Sequence, residues 1–251
     1  MKIRNMLKKF KVQIFEVLSI ASCLVGIFVL ICAAYGRISA QINSSDRANN
    51  TAQKTVIIDA GHGGEDGGAV GNDGIVEKDI NLSVALKLRD LLEVSGYKVI
   101  MTREKDQAIY DDEAKTLREK KRSDLHNRLD IITKNSGENT VFISVHQNKF
   151  PNPKYYGTQI FYSKHDPKSM DLATCVKDSV VGFLQPENTR SIKEATGKIY
   201  LLNNAKIPAI VVECGFISNP EESKKLANKE YQSEMAFSVY CGLVNYFSNN
   251  I

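Results

Sequence analysis

Two histidines and several glutamates are the residues of this chain whose types and positions could do metal chemistry. His62 and His146 each end a segment rich in Val and Ile, and Glu213 lies inside a third such segment. Parallel strands of an open α/β sheet deliver the residues at their carboxyl ends into one crevice, so these side chains are expected to meet there. Two imidazoles and one carboxylate typically hold a catalytic zinc ion, and a further carboxylate can serve as the general base. The set therefore favours a zinc hydrolase.

Spacing alone leaves the identity of the ligand carboxylate open. Glu65 stands three residues after His62, and zinc carboxypeptidases use this His-x-x-Glu spacing. Glu77 lies further along, where a helical pattern of apolar residues begins. Both glutamates are candidate ligands on this ground.

Three further polar residues lie close to the histidines in sequence. Asp59 is expected either to orient a ligand imidazole or to accept backbone N–H groups in the turn. Ser144 and Asn148 alternate with His146 along one strand and share its face, so they are candidates for substrate contact or for buried polar groups.

The apolar pattern predicts alternating strands and helices. Strands are expected at 56–62, 97–102, 141–148, 157–163, 198–202 and 210–216, and helices at 77–95, 125–132, 170–184 and 230–247. The densely charged stretch 104–124 is expected to be a solvated loop or an exposed helix. Strands that are buried on both faces predict an α/β fold, a three-layer α/β/α sandwich around a mostly parallel twisted sheet.

The N-terminal residues have the composition of a targeting element. Five cations precede an apolar run from Val17 to Tyr35 that contains no charge. This length predicts a membrane-spanning signal anchor or a signal peptide at 1–36, followed by a polar linker at 37–54 and one domain at 55–251. Either form of the signal predicts that the domain works outside the cytoplasm, where it is anchored to the membrane or secreted.

The charge balance argues against a nucleic-acid partner. The 251 residues carry a formal net charge of +4, but residues 1–40 hold six Lys or Arg and one Glu. The rest of the chain is therefore close to neutral and lacks a basic footprint.

Several separated motifs carry a resemblance to a known family. They are Asp-Ala-Gly-His-Gly-Gly at 59–64, Glu77, Thr-Arg-x-x-Asp at 102–106, Ser-Val-His-Gln-Asn at 144–148 and Val-Glu-Cys-Gly-Phe-Ile-Ser-Asn at 212–219. In this order they resemble the zinc-dependent N-acetylmuramoyl-L-alanine amidases. The resemblance implies that His62, Glu77 and His146 hold Zn²⁺ and that Glu213 is the catalytic glutamate.

The same resemblance implies a substrate and partners. The expected reaction is hydrolysis of the amide between N-acetylmuramic acid and L-alanine in peptidoglycan. A short chain with one N-terminal membrane segment and no wall-binding repeats is similar to the sporulation and germination type, and an accessory protein is a possible partner. Gln147, Lys149 and Phe150 stand where the family usually has small residues, which bears on groove shape. The alternatives are a zinc carboxypeptidase or endopeptidase acting on the stem peptide, and a non-catalytic wall-binding relative.

Overall fold

The fold is built around one six-stranded sheet. The computed structural model describes residues 53–71 and 74–249, and the strands are β1 (Thr55–Ala60), β2 (Lys98–Met101), β3 (Thr140–Asn148), β4 (Gln159–Tyr162), β5 (Lys193–Glu194) and β6 (Ala209–Phe216). Their order across the sheet is β2-β1-β3-β6-β4-β5. Neighbouring strands run parallel except β4 and β6, which are antiparallel.

The described residues also form six helices, of which the last two follow the final strand. They are α1 (Glu77–Val94), α2 (Leu117–Lys134), α3 (Lys168–Phe183), α4 (Tyr200–Asn204), α5 (Pro220–Ala227) and α6 (Lys229–Asn249). The α/β class expected from the sequence is confirmed. The expected targeting segment and nearly all of the linker lie outside the described residues, among which no helix is long and apolar enough to cross a membrane.

Two apolar clusters show that the sheet is covered on both faces. Val56 and Ile58 of β1 pack with Leu88 of α1 in one cluster. Ile57, whose side chain points to the opposite face, packs with Ile132 of α2 in the other. Burial of each large side chain contributes about 1.5–3 kcal/mol. The polar residues Asp59, Ser144, His146 and Glu213 lie towards the carboxyl ends of β1, β3 and β6.

Two short helices differ from what the sequence predicted. The strand expected at 198–202 is wrong, because Tyr200–Asn204 forms a short helix that buries Leu201 and Leu202. A short apolar run satisfies a buried strand and a one-turn helix equally well, so periodicity does not separate them. Helix α5 was not expected, although Asn219 caps its first N–H groups and Pro220 occupies its first turn, which are ordinary start signals.

Candidate metal centre

Three side chains meet at the carboxyl ends of β1 and β3. One nitrogen each of His62 and His146 and one oxygen of Glu77 lie within 4.8 Å of one another. Glu77 Oε1 is 2.9 Å from His146 Nδ1 and 3.3 Å from His62 Nε2. The structure thus brings together the three residues that the resemblance indicated, from a strand, a loop and a helix.

The turn that carries His62 has an unusual backbone. His62 adopts φ of 63°, the only positive φ of a non-glycine residue in the part of the chain that is described. The turn passes so close to its neighbours that a side chain on Gly61 would place Cβ 2.2 Å from the His146 ring. Strained backbone of this kind persists only where surrounding contacts enforce it.

Two buried arginines supply those contacts. Arg103 donates to the carbonyl oxygens of Ala60 and Gly61 at 2.8 and 3.1 Å. Arg128 donates to the carbonyl oxygens of Ala60 and His62 at 2.9 and 2.8 Å. Three successive carbonyl groups are therefore fixed by two guanidinium groups, and this holds the backbone of the His62 turn in place.

Glu77 is the first residue of α1, where the helix dipole favours a negative charge. Its Oε2 accepts the N–H of Ala69 at 2.7 Å, and its Oε1 accepts the N–H of Gln147 at 3.0 Å. Burial favours the neutral acid, but hydrogen bonds with His146 and His62 outweigh it and hold the pKa of Glu77 far below its usual value. The carboxylate is therefore charged and immobilised between the imidazoles.

Asp66 fixes the other side of the His62 ring. Its Oδ2 lies 2.8 Å from His62 Nδ1, and Lys121 Nζ lies 2.9 Å from its Oδ1. Burial disfavours an imidazolium, but the hydrogen bonds to Asp66 and Glu77 prevail and raise the pKa of His62 to about 9. A carboxylate on the second nitrogen of a ligand histidine sets its tautomer and orientation. Sequence reasoning missed Asp66, although it lies in the same glycine-rich loop.

Asp59 has a different role from the orientation of an imidazole. It is 1 % exposed, and it accepts hydrogen bonds from Thr102, Ser144 and Arg128. Burial opposes its ionisation, yet Arg128 prevails, and the pKa of Asp59 falls to about 2. Asp59 thus neutralises the arginine that holds the His62 turn.

Ser144, Asn148 and Glu65 are the other candidate residues from the sequence. Ser144 is buried and its hydroxyl donates to Asp59, so it faces away from solvent. Asn148 is half-buried at the end of β3, opposite Phe216 of β6. Glu65 lies outside the His–Glu–His cluster and pairs with Lys120 at 2.8 Å.

Glu213 stands directly beside His146. The two are partners in the register of β3 and β6, so their side chains emerge on the same face. Glu213 Oε2 is buried and has no hydrogen-bond partner among the described residues. Burial raises the pKa of Glu213 to about 7. A proton-accepting carboxylate without a structural partner, next to a metal-binding cluster, is the arrangement that general-base chemistry needs.

The donor set fits a zinc ion. Two imidazole nitrogens and one carboxylate oxygen are ligands that zinc accepts, and such sites keep a position open for water or substrate. The partnerless Glu213 Oε2 faces the same corner of the sheet, where a water molecule would complete its hydrogen bonding. A cavity of about 230 Å³ adjoins the cluster, and its lining includes His62, His146, Tyr110, Leu117 and Leu125.

Comparison with known proteins identifies the family of this site. Residues 56–245 match the family described as N-acetylmuramoyl-L-alanine amidase. The chain belongs to this family. It is an N-acetylmuramoyl-L-alanine amidase, an enzyme of peptidoglycan hydrolysis, and one of its relatives is described as a cell wall amidase.

Individual amidases match over most of their length. The chain is 38% identical to the germination-specific N-acetylmuramoyl-L-alanine amidase of Bacillus subtilis over 195 residues, which are 78% of this chain and 80% of the relative. Among solved structures, the CwlD amidase of Clostridioides difficile in complex with the GerS lipoprotein has a TM-score of 0.75 and 44% identity, covering 79% of this chain and 100% of that one. Another N-acetylmuramoyl-L-alanine amidase, from Clostridium difficile 630, has a TM-score of 0.68 and 28% identity, covering 79% and 99%.

Proposed function

We propose that this amidase uses one zinc ion, held by His62, Glu77 and His146, and that Glu213 is its general base. The observation that carries the proposal is the pairing of His146 with Glu213 in register, since it sets a partnerless carboxylate beside a three-ligand cluster. When bound, zinc supplies Lewis-acid chemistry, which polarises a carbonyl group and makes water more acidic.

The chain's own residues handle the protons. Glu213 accepts a proton from the attacking water and donates it to the amino group of the departing L-alanine. Asp66 keeps the His62 ring oriented, and the N–H groups of Ala69 and Gln147 keep Glu77 in place. The cavity beside α2, with Leu117 and Leu125 in its lining, receives the stem peptide.

The biological setting follows from the relatives and from the N-terminal sequence. We infer that the chain is held at the membrane by residues 1–36, or secreted after their removal, and that it trims spore-cortex peptidoglycan. The sequence identity to the germination-specific amidase supports the cortex as the substrate. The GerS complex of the structural relative supports an accessory protein as a partner of this chain as well.

Product analysis tests the proposal against a stem-peptide hydrolase. The zinc-loaded full-length protein, incubated with purified peptidoglycan, should release new L-alanine amino groups without new reducing sugar ends. Release of free D-alanine, or of amino groups from other residues, would contradict the amidase reaction. Glu213→Gln should keep the fold and the zinc content but lose about 10²–10⁴ in rate.

A further inference from the structure

An aromatic surface lies at the carboxyl ends of β3 and β6, and none of its residues lines the α2 cavity. It consists of Phe150, Tyr155 and Tyr156 together with Arg190, over the buried ring of Phe216, and it is called the aromatic platform below. Phe150, Tyr155 and Tyr156 are 47, 38 and 51% exposed. Large exposed aromatic side chains that cluster next to a catalytic site are typical of ligand-binding surfaces.

The platform is continuous with the catalytic residues. Phe150 follows His146 by four residues, so an extended chain separates their Cα atoms by no more than about 14 Å. Phe216 follows Glu213 by three residues and pairs with Asn148 across β3 and β6. A substrate whose scissile bond lies at Glu213 can therefore reach the platform with its neighbouring sugar rings.

The rings of the platform hold one another. Phe150 meets Tyr155 edge to face, with ring centroids 4.8 Å apart. The Arg190 guanidinium lies 4.5 Å from the Phe216 ring centroid and 5.7 Å from that of Tyr155. Aromatic and cation–π contacts of this kind order side chains that would otherwise rotate.

The loop that carries the platform is fixed although it has no regular secondary structure. Ser218 accepts the N–H of Phe150 at 3.0 Å, and Asn219 donates to the carbonyl oxygen of Tyr155 at 3.2 Å. The carbonyl oxygen of Tyr156 accepts from Arg190 at 2.6 Å. A surface that is ordered before binding loses little entropy when a ligand arrives, which favours a binding role over incidental exposure.

We propose that the aromatic platform binds the glycan strand of the substrate, with N-acetylhexosamine rings stacked on Tyr155 and Phe150. This inference rests on the proposed amidase function. The apolar face of a pyranose ring complements an exposed aromatic ring, while hydroxyl and acetamido groups need hydrogen-bonding partners nearby. A shallow pocket lined by Tyr155, Tyr156, Asn188, Thr189 and Arg190 offers such groups beside the rings.

Binding of the glycan to the platform would fix the direction of the substrate in the site. The glycan lies over the β3–β4 loop, the stem peptide enters the α2 cavity, and the amide that joins them lies between, at Glu213. Arg190 has no ion pair among the described residues, so the terminal nitrogens of its guanidinium are available to sugar and acetamido oxygens.

A binding experiment tests the platform without any reference to catalysis. Glycan strands from which the stem peptides have been removed serve as the probe, and sedimentation measures their binding to the full-length protein. Tyr155→Ala and Phe150→Ala should each weaken binding by about 2- to 10-fold, and Tyr155→Phe should restore most of it, because the ring makes the contact. Phe183→Ala is the matched control, since Phe183 is 64% exposed but belongs to α3, outside the platform.

A kinetic experiment separates failure of the platform from failure of the proposed function. With long glycan strands that carry peptides, Tyr155→Ala should raise KM and leave kcat unchanged, whereas a single muramyl peptide should be cleaved at the wild-type rate. The glycan-binding role of the platform would be overturned if both alanine variants kept the wild-type glycan affinity and KM. It would also be overturned if Phe183→Ala lost as much glycan affinity as they did. The same holds if the Tyr155→Ala and Phe150→Ala variants lost binding to an accessory protein but kept their binding to glycan. A wild-type protein that releases no L-alanine amino groups would contradict the amidase proposal instead.

Discussion

Substitution of Gly61 by alanine is the perturbation that probes the metal centre most sharply. An added Cβ would lie 2.2 Å from both Cε1 and Nε2 of the His146 ring. Ordinary contact begins at 3.4 Å, so the ring has to move by at least about 1.2 Å. Metal–ligand distances tolerate only about 0.2 Å, and the displaced imidazole is therefore lost as a ligand.

The linkage between zinc binding and folding sets the expected difference in stability between Gly61→Ala and the wild type. Removal of a residue that hydrogen-bonds to a metal ligand weakens metal binding by up to about 100-fold. Loss of the ligand itself should cost at least as much, so we expect the zinc affinity of Gly61→Ala to fall by at least about 100-fold. At a free zinc concentration of about 100 times the wild-type Kd, zinc raises the free energy of unfolding of the wild type by about 2.7 kcal/mol. Under the same conditions, zinc raises the free energy of unfolding of a variant with a 100-fold weaker site by only about 0.4 kcal/mol.

Urea unfolding with and without zinc measures this difference. Unfolding in the presence of a chelator separates loss of metal binding from damage to the fold. Gly182→Ala is the matched control, because nothing lies within 4 Å of a Cβ built at this exposed helical position, and it should respond to zinc like the wild type. A Gly61→Ala variant that gains as much stability from zinc as the wild type would refute the placement of His146 at the metal.

Three further predictions follow from the site. Glu77→Ala should lose most zinc affinity while Glu65→Ala keeps it, as measured by competition with a chelator, and the opposite result would favour the His-x-x-Glu pair. Asp66→Asn should weaken zinc binding by about 10- to 100-fold in the same assay, and an unchanged Kd would contradict its role in orienting His62. The pKa of Asp59 is depressed to about 2, so its charge contributes stability that is present above about pH 4 and lost as the pH falls towards 2. Acid titration of the free energy of unfolding should show the wild type losing about 2 kcal/mol in this window relative to Asp59→Asn, and parallel curves would contradict the pairing of Asp59 with Arg128.

The sequence was most informative at the ends of the central strands. His62, His146 and Glu213 could be found there because buried strands are recognisable and their carboxyl ends share one edge of the sheet. Glu77 needed the family resemblance, since a helix start that approaches two strands is a tertiary contact that spacing does not encode. The structure places it against both imidazoles, and its role as ligand stays a prediction.

Other features depended on contacts between segments distant in the chain. Arg103 and Arg128 hold the His62 turn from 41 and 66 residues away, through backbone carbonyl groups that carry no residue-specific signal. Asp59 was expected either to orient an imidazole or to accept backbone N–H groups in the turn, and its strongest partner is instead one of these arginines. The proposed boundaries of the targeting segment and of the linker, 1–36 and 37–54, stay predictions.

The most direct test of the central claim is to identify the bond that water attacks. Peptidoglycan is digested by the zinc-loaded full-length protein in water enriched in ¹⁸O, and the products are examined by mass spectrometry. One ¹⁸O atom is expected in the lactyl carboxylate of N-acetylmuramic acid, with L-alanine bearing a free and unlabelled amino terminus. Label in a carboxylate of the stem peptide, with L-alanine still attached to the glycan, would contradict the amidase reaction.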